Sequence, residues 1–577
     1  MRIPVSLSSS SCNLLRFLLR AGSRPFSSAA DDPTILRRLK NVPYRHRARA
    51  LREAQHAVTE YLHATRSLHF SHAEHIAANS PTCLSSLLSR LPFPHNASDL
   101  PRALRRSLYF LPINEFDFFF ESIGAPPPPA PRPGGLFLSE DTRLVSAVSA
   151  LVHFGFPWTK LGVLYGKESS IFSRDANELA SLLGWYQSLG FDKVAVIGIC
   201  LAFPSVLASG NGSSSDREIA SLFEDMKRVT SDFHPEGSAE ENVDTYFHLC
   251  RRIRVFYDLG CEKGSMGEFL AASREELLKL EVEDLIKKVD FFCRLGMNKE
   301  EAGLFVLQCP EVLQFDLESP MLRMPDYLGQ IGLSREDLDS IPHKYPYVMG
   351  KNRVENLPSM LRAMDLNEWF VHEIRNGRHH YLSPAFVVCD SEERVVDIDF
   401  RDELKKAMAA TKIQFVTNKL EFLLGIGFGE NKVTAKALQL VNGTQNQLKK
   451  RFCCLLAMGI NYSMLCRMVS ATPKLLNQNV DMLRVKVNHL CNDLGCSLQY
   501  LNNFPAYLCF DLENRVKPRY RILDWLKEKG LLKRHFAPAT ILATSEKKFM
   551  GYLIEIHPAA PKQWLEVFSS KKYHSRQ

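Results

Sequence analysis

The chain has 577 residues, 45% of them apolar and 24% charged; that supports a continuous core, and no block of 18 apolar residues suggests a membrane-spanning helix. The formal charge is only +8, but residues 401–577 carry 28 Lys+Arg against 13 Asp+Glu, and residues 31–400 carry 40 against 51. That polarity points to a polyanion-binding C-terminal half and says nothing about fold.

Residues 1–30 contain Arg2, Arg16, Arg20 and Arg24, a serine run and no acid. This is the composition of an organelle transit peptide, mitochondrial in preference to chloroplast, and RPFSSAA at Arg24–Ala30 resembles a processing site. Residues 31–123 read as a helical region in which Phe116, Phe118, Phe119 and Phe120 pack a core. A proline-rich linker follows over 124–135.

From residue 136 a period takes over. Apolar helices stop at a glycine, once at an acid, followed by an apolar residue. The marks are Gly155, Gly190, Gly260, Gly296, Gly332, Asp365, Gly427, Gly459, Gly495 and Gly530, spaced 31–36 residues where nothing is inserted. Prolines at 204, 310, 346, 473 and 505 lead short apolar runs early in several units. Each unit is predicted to be a short proline-led helix, a turn and a longer helix. Such a unit cannot bury its apolar face alone, so about ten of them predict an all-α superhelical α-solenoid. An acidic array over 136–375 and a basic one over 401–550 flank an inserted loop at 376–400, a shorter loop lies at Ser209–Ser215, and 551–577 is a tail. The apolar stretch Val194–Phe203 is too short to span a membrane and reads as a buried helix.

The tetratricopeptide and ankyrin patterns are not found. The openings Pro204-Ser205-Val206-Leu207, Pro310-Glu311-Val312-Leu313 and Pro473-Lys474-Leu475-Leu476 resemble those of the mitochondrial transcription termination factor (mTERF) family. So do the second-helix starts Asn352-Arg353-Val354 and Asn514-Arg515-Val516 and the Leu-Gly-apolar closings, over about residues 140–535. The resemblance implies triple-helical repeats with a basic groove for double-stranded nucleic acid. It also implies roles in organellar transcription termination or regulation, or in RNA processing and intron splicing.

Phosphate contacts need lysines and arginines at repeat-spaced positions. The candidates are Lys449, Lys450 and Arg451, then Arg484 and Lys486, then Arg515, Lys517, Arg519 and Arg521. In the last repeat Arg515/Arg519 and Lys517/Arg521 form two rows beside the stripe Val516, Tyr520, Leu523 and Leu526. The competing reading pairs them with Asp511, Asp524 and Glu528 as a solvated flank. No phosphate-loop, zinc-protease or nucleophile-elbow motif occurs, and Gly425-x-Gly427-x-Gly429 reads as a helix terminator, so neither an enzyme nor a cofactor is expected. The fourteen cysteines lack any C-x-x-C pair and read as free thiols rather than zinc ligands. The expected partner is double-stranded DNA or structured organellar RNA, bound by a monomer. An α-solenoid scaffold docking proteins through its acidic half is the alternative.

Overall fold

The computed structural model describes Arg37 and residues 39–94, 96–126, 137–208, 215–383, 398–531 and 538–556. The transit-peptide reading, the linker over 127–135, and most of the 209–215 and 376–400 loops lie outside those residues. Among the described residues the structure is almost wholly helical, and the only sheet is a two-stranded one. The chain divides into two compact units, residues 1–282 and 283–577.

In the first unit, five helices from Arg47–Glu60 to Glu115–Ile123 precede the repeats. Phe118, Phe119 and Phe120 are buried among them, as the aromatic run predicts, while Phe116 is half-buried. The helix Lys193–Ala202 is the buried helix expected from its apolar run, with every residue from Ala195 to Ala202 covered. It lies so close to the helix Ala239–Asp258 that a Cβ on Gly198 would sit 2.4 Å from Tyr246 Cβ. Asp225, on the helix Ser215–Thr230, is fully buried. Its carboxylate accepts from the backbone N–H groups of Gly264 (2.6 Å), Met266 (3.1 Å) and Gly267 (2.7 Å), and from Tyr257 Oη (2.9 Å).

In the second unit the sequence Asn352-Arg353 does not begin a helix. It forms the strand Lys351–Arg353, paired antiparallel with Met321–Arg323. The buried Asn352 side chain donates to Leu424 O and Phe428 O, at 3.1 and 2.8 Å, so it cross-links segments instead of starting a turn. The unit's last described residues form the helices Pro538–Ala543 and Glu546–Ile556, so the expected tail is helical over residues 551–556.

All ten periodic marks have positive φ, from +59° at Asp365 to +112° at Gly155. At six of them the following apolar residue donates its N–H five residues back, as in Phe156→Leu151, Leu366→Leu361, Phe428→Leu423 and Leu531→Leu526, and after Gly495 the bond Cys496→Leu490 runs six back. This left-handed stop satisfies the last helical carbonyls, and the apolar residue after it packs back on the helix. Gly427 adds a steric reason, since a Cβ there would meet Ser359 O at 2.5 Å.

Pro204 leads the short α-helix Ser205–Ala208 as expected, whereas the segments Pro310–Gln314, Pro473–Asn477 and Pro505–Cys509 are five-residue 3₁₀ turns. Such a turn leaves carbonyls without donors where the chain becomes extended. Three units fill the same vacancy in the same way, at the third residue after the proline. Arg174 Nη1 donates to Leu207 O (2.7 Å), Arg451 Nη1 to Leu476 O (2.8 Å) and Lys486 Nζ to Leu508 O (2.8 Å). A cation from one repeat thereby stitches the turn of the next.

Candidate nucleic-acid interface

These stitches decide which basic residues are available to a ligand. Lys486 is buried, also bonds Gln478 Oε1 at 3.2 Å, and burial holds its pKa below that of an ordinary lysine. Arg451 spans Leu476 O and Asn442 O. Arg515 donates to Leu542 O and Thr544 O. Arg519, only 3% exposed, donates to Ile541 O and Thr544 O and pairs with Glu546 at 2.5 Å. In all four a cation, buried at Lys486 and Arg519 and half-buried at Arg451 and Arg515, is held where unpaired carbonyls offer acceptors. Lys517 is partly buried and paired with Glu513, not with the carboxylates expected from sequence.

The two Arg-Val-Lys triplets therefore do different things. Arg484-Val485-Lys486 lies in the helix Val480–Asn488, ahead of the π-turn His489–Asp493. Arg515 and Val516 lie inside the π-turn Leu512–Val516, which runs into the helix Lys517–Glu528. One extra residue per π-turn rotates what precedes it by roughly 100°. Hence Val485 is exposed where Val516 is buried, and Lys486 is buried where Lys517 is half-buried.

Lys449, Lys450, Arg484 and Arg521 remain exposed. They stand on the helices Gln445–Ala457, Val480–Asn488 and Lys517–Glu528, the second helices of three successive repeats. Arg484 has a loose contact with Asp481 at 3.8 Å, while Lys449, Lys450 and Arg521 have no ion pair among the described residues. Thr444 caps the first of these helices, with Gln447 completing a capping box.

A second basic cluster, in the first unit, escapes sequence reading. Lys167 ends the helix Leu161–Lys167, and Arg251 and Arg254 lie 84 and 87 residues later on Ala239–Asp258. The packing around the Lys167 amine, and then the Arg254 and Arg251 guanidiniums, push its pKa down to about 8, against which Asp258 is the one acidic neighbour. Arg254 is engaged by Ala202 O at 2.9 Å and Asp258 at 3.5 Å, so Lys167 and Arg251 are the cations left to favour an added anion. No local motif signals this, because the fold brings the two helices together.

The family comparison covers these elements. A model of the mTERF family matches residues 148–366 and 407–550. The chain belongs to the mTERF family. Within that family it is 42% identical, over 93% of its own length and 96% of the relative's, to "Transcription termination factor MTEF18, mitochondrial" of Arabidopsis thaliana. It is 21% identical over 75% of its length and 83% of the relative's to "Transcription termination factor MTERF15, mitochondrial" of the same plant. It is 24% identical over 45% of its length and 48% of the relative's to "Transcription termination factor MTERF8, chloroplastic", also from Arabidopsis thaliana. No solved structure matches. The mTERF match breaks between residues 366 and 407, around the inserted loop expected from the sequence.

Proposed function

We propose that this mTERF protein is a mitochondrial nucleic-acid-binding regulator of gene expression, acting in transcription termination or in intron RNA splicing, without catalytic chemistry of its own. The observation that carries the reading is the surviving set of exposed cations, Lys449, Lys450, Arg484 and Arg521, on successive repeats of the basic half. Among the described residues three of them have no ion pair and Arg484 has only the loose contact with Asp481, so they can neutralise backbone phosphates and release counterions. The names of the two mitochondrial relatives support the compartment and the process. Lys167 and Arg251 supply a second phosphate-binding pair in the first unit, beside Arg254, whose guanidinium is engaged by Ala202 O at 2.9 Å and Asp258 at 3.5 Å. Such contacts position a protein on a duplex without reading its sequence.

Titrating full-length protein against duplex DNA and intron RNA across a salt series tests this. Substituting alanine at 449, 450, 484 and 521 is expected to weaken binding at least tenfold at low salt. The slope of log K against log salt should also become shallower by about 3.6, at ~0.9 per phosphate contact on B-DNA. Unchanged affinity and slope in a folded variant would overturn the assignment. The better-bound ligand separates transcription from splicing.

A pH prediction follows from Lys167. Its depressed pKa means that the free protein carries this charge below about 8 and loses it above. A bound phosphate favours the protonated amine, so above pH 8 binding must take up a proton. Nucleic-acid affinity is expected to fall from pH 7 to pH 9, and Lys167→Met should flatten that fall. An identical pH profile in the variant would remove Lys167 from the contact set.

A further inference from the structure

We propose that the exposed face of the helix Leu100–Phe110 binds single-stranded nucleic acid, stacking unpaired bases on Tyr109 and Phe110 while Arg102 and Arg106 hold the strand's phosphates. This helix precedes the residues matched by the family model, so the site lies apart from the repeat array. The proposal shares the ligand class of the function given above but none of its residues.

Leu100, Leu104 and Leu108 form the buried stripe of the helix. Around the other side Arg102, Arg106 and Phe110 form one i, i+4 row and Arg105 and Tyr109 the row beside it, so each row leads from arginine to a ring. Tyr109 is 79% exposed and Phe110 66%, and with Leu111 they are the only three consecutive large apolar residues left exposed among the described residues. The two rings meet edge to face at 5.1 Å and 83°, which leaves ring faces open. Arg105 is held by Glu60 at 2.9 Å, whereas Arg102 and Arg106 have no carboxylate partner among the described residues. Around them, residues 39–126 carry 10 Lys+Arg against 7 Asp+Glu, so this region is basic although residues 31–400 as a whole are acidic.

Open aromatic faces beside unpaired arginines suit unpaired bases, because every base has a stacking face and a single strand exposes it. A duplex keeps those faces inside the stack. An anionic membrane would also meet arginines, but helices that lie on membranes segregate an apolar face from a basic one. Here the fully apolar stripe is already committed to the protein core.

The test uses full-length protein with labelled oligouridine and single-stranded DNA, a matched duplex, and anionic phosphatidylserine vesicles. Tyr109→Ala with Phe110→Ala is expected to weaken single-strand binding at least tenfold and to leave duplex binding unchanged, at ~1–3 kcal/mol per stacked base. Arg102→Gln with Arg106→Gln should flatten the single-strand salt slope by about 1.4. All four residues are exposed, so both variants should melt as the parent does. Unaltered single-strand affinity would overturn the proposal, and so would loss of vesicle binding alone. The variant with alanine at 449, 450, 484 and 521 should lose duplex binding while keeping oligouridine binding. If that variant instead keeps duplex binding, the repeat interface fails while this site stands.

Discussion

Asp225→Ala is expected to destabilise the first unit by about 3–5 kcal/mol, from the loss of a buried acceptor shared by four donors. The carboxylate is fully buried and holds Gly264, Met266 and Gly267 through their N–H groups as well as the Tyr257 hydroxyl. Alanine leaves three backbone donors without a partner in a place water reaches poorly, and each such orphan costs about 1–3 kcal/mol. An asparagine in its place would be nearly isosteric but would turn an NH₂ toward donors, so Asp225→Asn should recover little. Denaturant melts give the total, and amide exchange should show the 261–267 loop opening first. A loss below about 1 kcal/mol with protected amides would mean that the loop holds itself.

The second large effect is expected from Arg519→Ala, about 2–4 kcal/mol, confined to the C-terminal helices. The guanidinium reaches Ile541 O and Thr544 O, both at 2.7 Å, pairs with Glu546 and lies 4.5 Å from the centre of the Phe549 ring. Without it, Ile541 O loses its side-chain donor, Thr544 O is left to Arg515 alone and Glu546 loses its partner. Lysine offers a point charge where a fork is needed, so Arg519→Lys should rescue only in part. Limited proteolysis should release a fragment from residue 538 onward, with the nucleic-acid salt slope unchanged. A reduced slope in a variant that resists proteolysis would put Arg519 on the ligand.

Much of the fold is legible in the sequence because the helix stops are local. A left-handed residue followed by an apolar one is the stop, and all ten positions read that way adopt it, including the non-glycine Asp365. The prolines mark their turns but not the 3₁₀ geometry, since Pro473 and Pro505 would suit a first α-turn equally well. Asn352-Arg353 reads like Asn514-Arg515 over three residues, yet strand pairing with Met321–Arg323 captures the first. The candidate interface is less legible. Charge and spacing cannot tell Lys450, which is exposed, from Lys486, whose amine is taken by Leu508 O. What separates them is the phase set by a π-turn and the position of a carbonyl in the next repeat. Lys167 and Arg251 are further beyond reach, because tertiary contact alone assembles them.

The cations that bond turn carbonyls have a practical consequence. Arg451 to Leu476 O and Lys486 to Leu508 O join a charge to a neutral acceptor, and Lys486 is sheltered from solvent. Dissolved salt weakens attraction between exposed opposite charges far more than bonds of this kind. A high-salt wash should therefore strip bound polynucleotide from the protein while the repeat stack stays assembled, and the stripped protein should rebind on dialysis.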